Sequence, residues 1–532
     1  METNDKNTLT IRDKMKLILD TGQMMMESGA GSKRIVRDML QTAAYLGIYW
    51  EDVQIHITYS TIMINVDDGK RTHTMFRKCY RHGVNMLTFL KTSKTSREAL
   101  YKNEPYGVFV NQLHEIHRHC MNRIYPEWLA ILAIGLASSA FCLIFGGHEV
   151  EALYTMLAAI IGALVKYACT RIEFNGYVTI AASAFAATIT AYLTMYLPGA
   201  ISPFLPIVAC ALTLIPGVPL INAVDDFLNN YLTSGMTRMT HTLLIMLAMT
   251  FGIAGAVGLT HVPSFTAVNI APEHLYLAQA LAAAMAALGF SIMFNIPKRY
   301  IPLACLGAII TVDVRDVFMV VFHFGMASAS FFGAAVLSIL YFSISKYFHA
   351  PIFVVTIPAI IPLVPGVLMY RFFFAIIDIQ HMDGLALLLA LQTGVEAMLV
   401  LLGISLGATL PDVLAHQYIE RSKRKKLQKL LMKRDGNREI LKNANGLGKV
   451  NDCIEAERKT KKTGTAAVCC LRTEAVPLSV PRQVPPRAFL SDYSEAPFAF
   501  WRFRSFFCSF APVFRLRSAH CSRLAEQDTD RI

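Results

Sequence analysis

The sequence predicts a mainly α, polytopic membrane protein: about ten transmembrane helices in two inverted five-helix halves, preceded by a small cytoplasmic α+β domain. Three observations predict it. From about Trp128 to Leu410 the chain is almost continuous apolar sequence, cut by short polar loops into blocks near the ~20 residues needed to cross ~30 Å of hydrocarbon. Hydrophobic residues make up 54% of the chain and mean hydropathy is +0.42, whereas soluble domains are roughly 45–50% apolar. Two proline-interrupted blocks, Ile215-Pro216-Gly217-Val218-Pro219 and Ile361-Pro362-Leu363-Val364-Pro365-Gly366-Val367, each end the fourth of five spans. Five is odd, so the repeats would sit in opposite orientations.

Residues 1–126 read as the α+β domain. Ile11, Met15, Ile18, Leu19, Met25 and Met26 form the stripe of a first helix, broken by Gly29 to Gly31. Ser32 suits the cap of a second helix, whose Ile35, Val36, Met39, Leu40, Ala43 and Leu46 share a face and which Gly47 ends. The alternation from Val53 to Val66 predicts a strand, and Asp67-Asp68-Gly69 turns it into a hairpin partner over 71–76. Helices near 84–100 and 114–125 complete the unit. The expected spans are 128–146, 153–171, 177–197, 204–221 and 241–260 in a first membrane half (127–268), and 276–296, 301–313, 319–345, 352–370 and 385–410 in a second (269–420). Residues 421–532 read as a basic tail, without helical or strand period beyond about Lys442.

The net charge of +12 raises the question of nucleic acid. Much of it lies at the N-terminal segment and in Arg421, Lys423, Arg424, Lys425, Lys426 and Lys429, just after the last apolar block, where it reads as an anchor near anionic lipid. No basic groove interleaved with aromatics accompanies it, so nucleic acid is not an expected partner. With the N-terminus in the cytoplasm, inner loops carry Lys166, Arg171, Arg238, Lys298, Arg299 and Lys346 against Arg315 and Arg371 outside. That is a positive-inside pattern; both termini are then expected in the cytoplasm of a plasma (inner) membrane. The first residues have no apolar core or cleavage site of a secretory signal.

Candidate chemistry centres on Ile215 to Arg238. Proline lacks an amide donor and clashes with the preceding turn, so Pro216 and Pro219 are expected to unwind the helix. Unwound backbone at membrane depth is tolerated only against protein or a polar cavity. Pro216, Gly217 and Asn222 are therefore substrate-binding candidates, as are Pro365, Gly366 and Arg371 at the second break. Asp225, Asp226 and Glu396, the last in mid-span, are proton-coupling candidates, weighed against interfacial caps for the first two and an interhelical hydrogen bond for the third. Asp313, Arg315 and Asp316 follow a short seventh span and read either as the mouth of a half-helix or as an outer loop.

The eleven cysteines lack metal spacing, and His114, Glu115, His117, His119 and Cys120 do not converge on one helix face, so no metal or cofactor is expected. No Walker A sequence and no GxSxG elbow occur, which argues against ATP-driven pumping and hydrolysis.

Leu17 to Ile48, with Gly22, Ser28-Gly29-Ala30 and Arg34, resembles the opening of the threonine/serine exporter family. Arg81 to Leu87, Phe145 to Gly147 and Pro216 to Arg238 extend the likeness, and residues from about 297 to 412 resemble the smaller partner that some relatives encode separately. The family pattern departs at His148-Glu149, and Glu396 is not a recognised family position. The resemblance implies a transporter and not an enzyme: export of L-threonine, L-serine or a dicarboxylate such as succinate, driven by an ion gradient, here taken as protons. Its partners would be the solute, protons and the lipid bilayer; a homo-oligomer is allowed but no residue demands one. The reading from another class is a membrane-anchored enzyme or sensor working through residues 1–126.

Overall fold

The computed structural model describes residues 9–69, 71–80, 82–102, 104–120, 123–199, 204–260, 276–348, 351–377 and 384–410. The expected basic tail, including Arg421 to Lys429, lies outside them.

The N-terminal elements are α1 (Ile11–Glu27), α2 (Ser32–Tyr45), β1 (Val53–Ile57), β2 (Thr61–Asp67), β3 (Thr72–Lys78), α3 (Met86–Lys102) and α4 (Tyr106–Glu115). Helix α1 ends where Gly29 takes φ +87°, a left-handed conformation that costs a side-chain-free residue little. The stretch from Val53 to Val66 is two strands and not one. It turns at Thr58 to Ser60, so that Val53 pairs with Val66 and Ile57 with Ile62. The alternation survives this because a tight turn returns the second strand with its apolar residues on the same face. Ile62, Ile64 and Val66 are buried there and Phe76 points outward from β3. The antiparallel sheet runs β1-β2-β3, with α1 packed on β2 and β3.

The membrane part begins with α5 (Glu127–Ile144), α6 (Glu149–Arg171) and α7 (Gly176–Leu193). The next block is broken into α8 (Phe204–Leu212) and α9 (Gly217–Leu228), bent by 55°. Pro216 makes the break. Pro219 does not, because it stands in the first turn of α9, where an amide has no intrahelical acceptor to lose. Helix α10 (Leu232–Thr260) is followed by α11 (Tyr276–Met293), α12 (Ile301–Val320) and α13 (Met326–Phe348). A second broken block holds α14 (Ile352–Ile360) and α15 (Gly366–Ile377), bent by 57°, and α16 (Gly384–Leu410) ends the described chain.

Six of these helices are long and apolar enough to cross a bilayer, and each bent pair qualifies when taken together. The protein is thus mainly helical and polytopic. The seventh expected span is neither a half-helix nor followed by a loop: α12 continues through Asp313, Arg315 and Asp316 to Val320. Arg315 Nη2 lies 2.8 Å from Asp316 Oδ1, and this pairing lets charged residues stay helical.

Small residues set the helix spacing. Gly289 of α11 faces the backbone of Ala133 in α5, Gly162 of α6 faces Ser183 and Ala187 of α7, and Gly403 and Gly407 of α16 meet Ala327 and Phe331 of α13. In lipid, where apolar burial gains nothing, such close approach supplies the packing. Leu153, Leu157, Leu164, Phe251 and Leu259 point outward, as lipid-facing residues do.

Candidate functional site

The two breaks abut. A side chain at Gly217 would touch Val364 and Ile361, and one at Gly366 would run into Leu212 and Ile215. Beside the first break lies a cavity of about 270 Å³, the volume of roughly nine waters at ~30 Å³ each. Its floor is the backbone from Thr213 to Pro219, with Lys166 of α6, Ile180 of α7 and Phe290 and Met293 of α11. Its roof is the N-terminal domain, through Met26, Gly29, Tyr59, His82, Gly83 and Val84. Asn222, Arg238 and His241 complete the wall.

Arg238 and the acids near it have a local explanation. Arg238 and Asp226 are 3% and 1% exposed and form an ion pair, Nε to Oδ2, at 3.1 Å. Asp226 also accepts from Ser234 Oγ at 2.9 Å, and from Ser32 twice, backbone N–H and Oγ, both at 2.9 Å. Ser32 is therefore the first residue of α2 and not its cap. Gly31 stands at the cap without a side chain, and the carboxylate 194 residues away takes the orphan amide. Arg238 Nη2 donates to Ala30 O at 3.0 Å and Asn222 Nδ2 to Gly29 O at 2.9 Å, while Arg34 approaches Asp225 at 3.6 Å. These contacts bind the start of α2 to α9 and α10.

Lys166 differs. Among the described residues no ion pair or hydrogen bond engages its ammonium, and no Asp or Glu lines the cavity. At the roof, Tyr59 stacks on His82 with ring centroids 4.1 Å apart and faces His241 at 5.3 Å. Tyr177 Oη is 2.9 Å from His241 Nδ1. Although His82 is exposed as a residue, partial burial and then the neighbouring His241 and Arg238 push its pKa down to about 4. Burial pushes the Tyr59 phenol up.

Of the residues singled out in the sequence, Pro216, Gly217 and Asn222 line this cavity. Asp225 and Asp226 are adjacent to it but turned to the N-terminal domain. Pro365 and Gly366 are buried against the first break, Arg371 is half-buried further along α15, and Glu396 is half-buried on α16; none of the four lines the cavity. Lys166, expected to mark topology at a loop, stands inside α6, five residues before Arg171. That position within an apolar block was the available signal. Tyr59, His82 and His241 gave none, because they are brought together from a turn, a loop and a span.

Residues 16–260 match a family model described as "Putative threonine/serine exporter", and residues 279–414 one described as "Threonine/Serine exporter, ThrE". A protein of Escherichia coli K12 named "Probable succinate transporter subunit YjjP" is 24% identical over 257 residues, 48% of this chain and 96% of its own length. The Klebsiella aerogenes protein of the same name is 25% identical over 45% of this chain and 92% of its own length. A "Probable threonine/serine exporter" of Mycobacterium tuberculosis is 22% identical over 428 residues, 76% of this chain and 77% of its own length. No solved structure matches. With matches on both sides of the 261–278 interval, and with names that denote transport and not catalysis, this chain belongs to the threonine/serine exporter family, both components fused in one polypeptide.

Proposed function

We propose that the protein is a proton-driven secondary exporter of small carboxylate-bearing metabolites, with the cavity at the first broken helix as its solute site. The observation that carries this reading is that Lys166, unpaired among the described residues, faces a cavity whose described lining holds no carboxylate. A lysine held in an apolar bundle is costly unless something anionic meets it, and a solute carboxylate supplies that partner. Val218 and Asn222 of α9 line the same cavity. The resemblance to exporters implies threonine or serine; the lining favours a dicarboxylate such as succinate, since no acid is placed to meet an ammonium group. Asp225 and Asp226 in this reading hold the N-terminal domain on α9, and Glu396 has no part in binding.

Each bent pair is taken as one span. With α11 and α12 the chain then crosses ten times in two inverted halves, N- and C-termini in the cytoplasm of the inner membrane and residues 1–126 as the inner lid. The abutting breaks support a rocking of one half on the other about a central site. Counterflow in reconstituted vesicles tests the function: preloaded succinate should drive uptake of labelled succinate, with threonine and serine competing more weakly. Absence of counterflow with all three solutes would refute it.

A further inference from the structure

We infer that the coupling proton is held by His82 and His241, the two imidazoles in contact with the Tyr59 ring, and not by any carboxylate of the broken helix. This rests on the transport reading above and assigns its missing part. A coupling site must be protonatable, must face the solute path and must sit where adding a charge changes which conformation is favoured. The acids fail the second condition. Asp226 is enclosed by Arg238, Ser32 and Ser234, Asp225 is turned to Arg34 and Asn229, and no carboxylate lines the cavity.

The histidines meet all three conditions. Both line the cavity, and they belong to different bodies: His82 and Tyr59 to the N-terminal lid, His241 to α10. The stack of His82 on Tyr59, the approach of His241 to the same Tyr59 ring and the guanidinium of Arg238 at 5.3 Å from the Tyr59 centroid make one contact between the N-terminal elements and α10. The titratable and charged groups facing it are Tyr59, Tyr177, Lys166 and the Arg238–Asp226 pair. The acid is already matched to Arg238. A proton on either imidazole therefore adds positive charge beside Arg238 and the other ring.

The consequence has a definite sign. His82 is held near 4 in the closed arrangement, below the ordinary 6.5, so an arrangement with the lid lifted binds the proton more tightly. Acidification between about 6.5 and about 4 thus favours lifting, and deprotonation favours closure. An anionic solute in the cavity would offset the added charge, which links proton and solute occupancy without direct contact between them.

The test is uptake of labelled succinate by vesicles containing the full chain, driven by an imposed pH gradient and divided by each variant's own counterflow rate. Wild type should give a ratio several-fold above that without a gradient. His82→Gln and His241→Gln should each lower the gradient response and the double substitution should bring it to about one, while counterflow stays measurable. His82→Gln changes an exposed loop residue, so it reports even if the double variant folds poorly. A full gradient response in His82→Gln and His241→Gln overturns the inference alone. Absence of counterflow in wild type overturns the transport reading and the inference with it.

Discussion

Asp226 shows how much one buried carboxylate can be asked to do: it neutralises Arg238 and supplies the missing cap of α2. Breaking a buried pair by removing one charge costs about 3–5 kcal/mol, because the partner stays desolvated and unmatched. Asp226→Asn should therefore lower the thermal unfolding midpoint of the purified protein sharply. Asp226→Asn combined with Arg238→Met should lose less than the sum of the two single changes. Lys166 should behave oppositely, since no protein group depends on it. Lys166→Gln should leave the unfolding midpoint near wild type but weaken succinate counterflow roughly ten-fold, on the order of 1.4 kcal/mol, with partial recovery in Lys166→Arg. A midpoint that falls as far as in Asp226→Asn would place Lys166 in the scaffold instead. Both residues are plain in the sequence, yet only their surroundings separate a structural charge from one open to a solute.

The elements were legible wherever a local rule governs them. Proline removes an amide donor and weakens a helix beyond its first turn, so the bends at Pro216 and within Ile361 to Pro365 were readable in advance. The turn at Thr58 to Ser60 was not, because an alternating run reads the same whether straight or folded back upon itself in register. Nor was the length of α12, where an intrahelical ion pair overrides the expectation that charges end a span. Close crossings belong to this scale too. A Cβ on Gly289 would lie 2.6 Å from Ala133 O, a backbone atom that cannot swing aside. Gly289→Leu should force α11 from α5 at a cost of about 1–3 kcal/mol or more, visible as loss of folded protein on size-exclusion chromatography in detergent. Gly258→Leu, with open space around it, is the control and should be near neutral.

For the whole molecule, the matched regions are separable in sequence but joined in space: α11 packs on α5, and α15 on α10. Residues 1–268 and 269–532 expressed as two chains should co-purify and restore counterflow together, while neither alone supports it. The lid offers a second check at this scale. As pH falls from 6.5 toward about 4, amide hydrogen exchange over residues 82–86, corrected for its intrinsic pH dependence, should quicken, because the lifted arrangement binds the proton that the closed one resists. Exchange that is unchanged or slower would contradict that sign. What the sequence determined alone is the membrane class, the run of helices and the two breaks, since bilayer thickness and proline geometry act within a span of about 20 residues. Only the tertiary structure decided which charges meet. Ser32 and Asp226 are 194 residues apart, and no periodicity reports that the first amide of α2 will be taken by a carboxylate of α9, leaving Lys166 and two histidines to face the cavity.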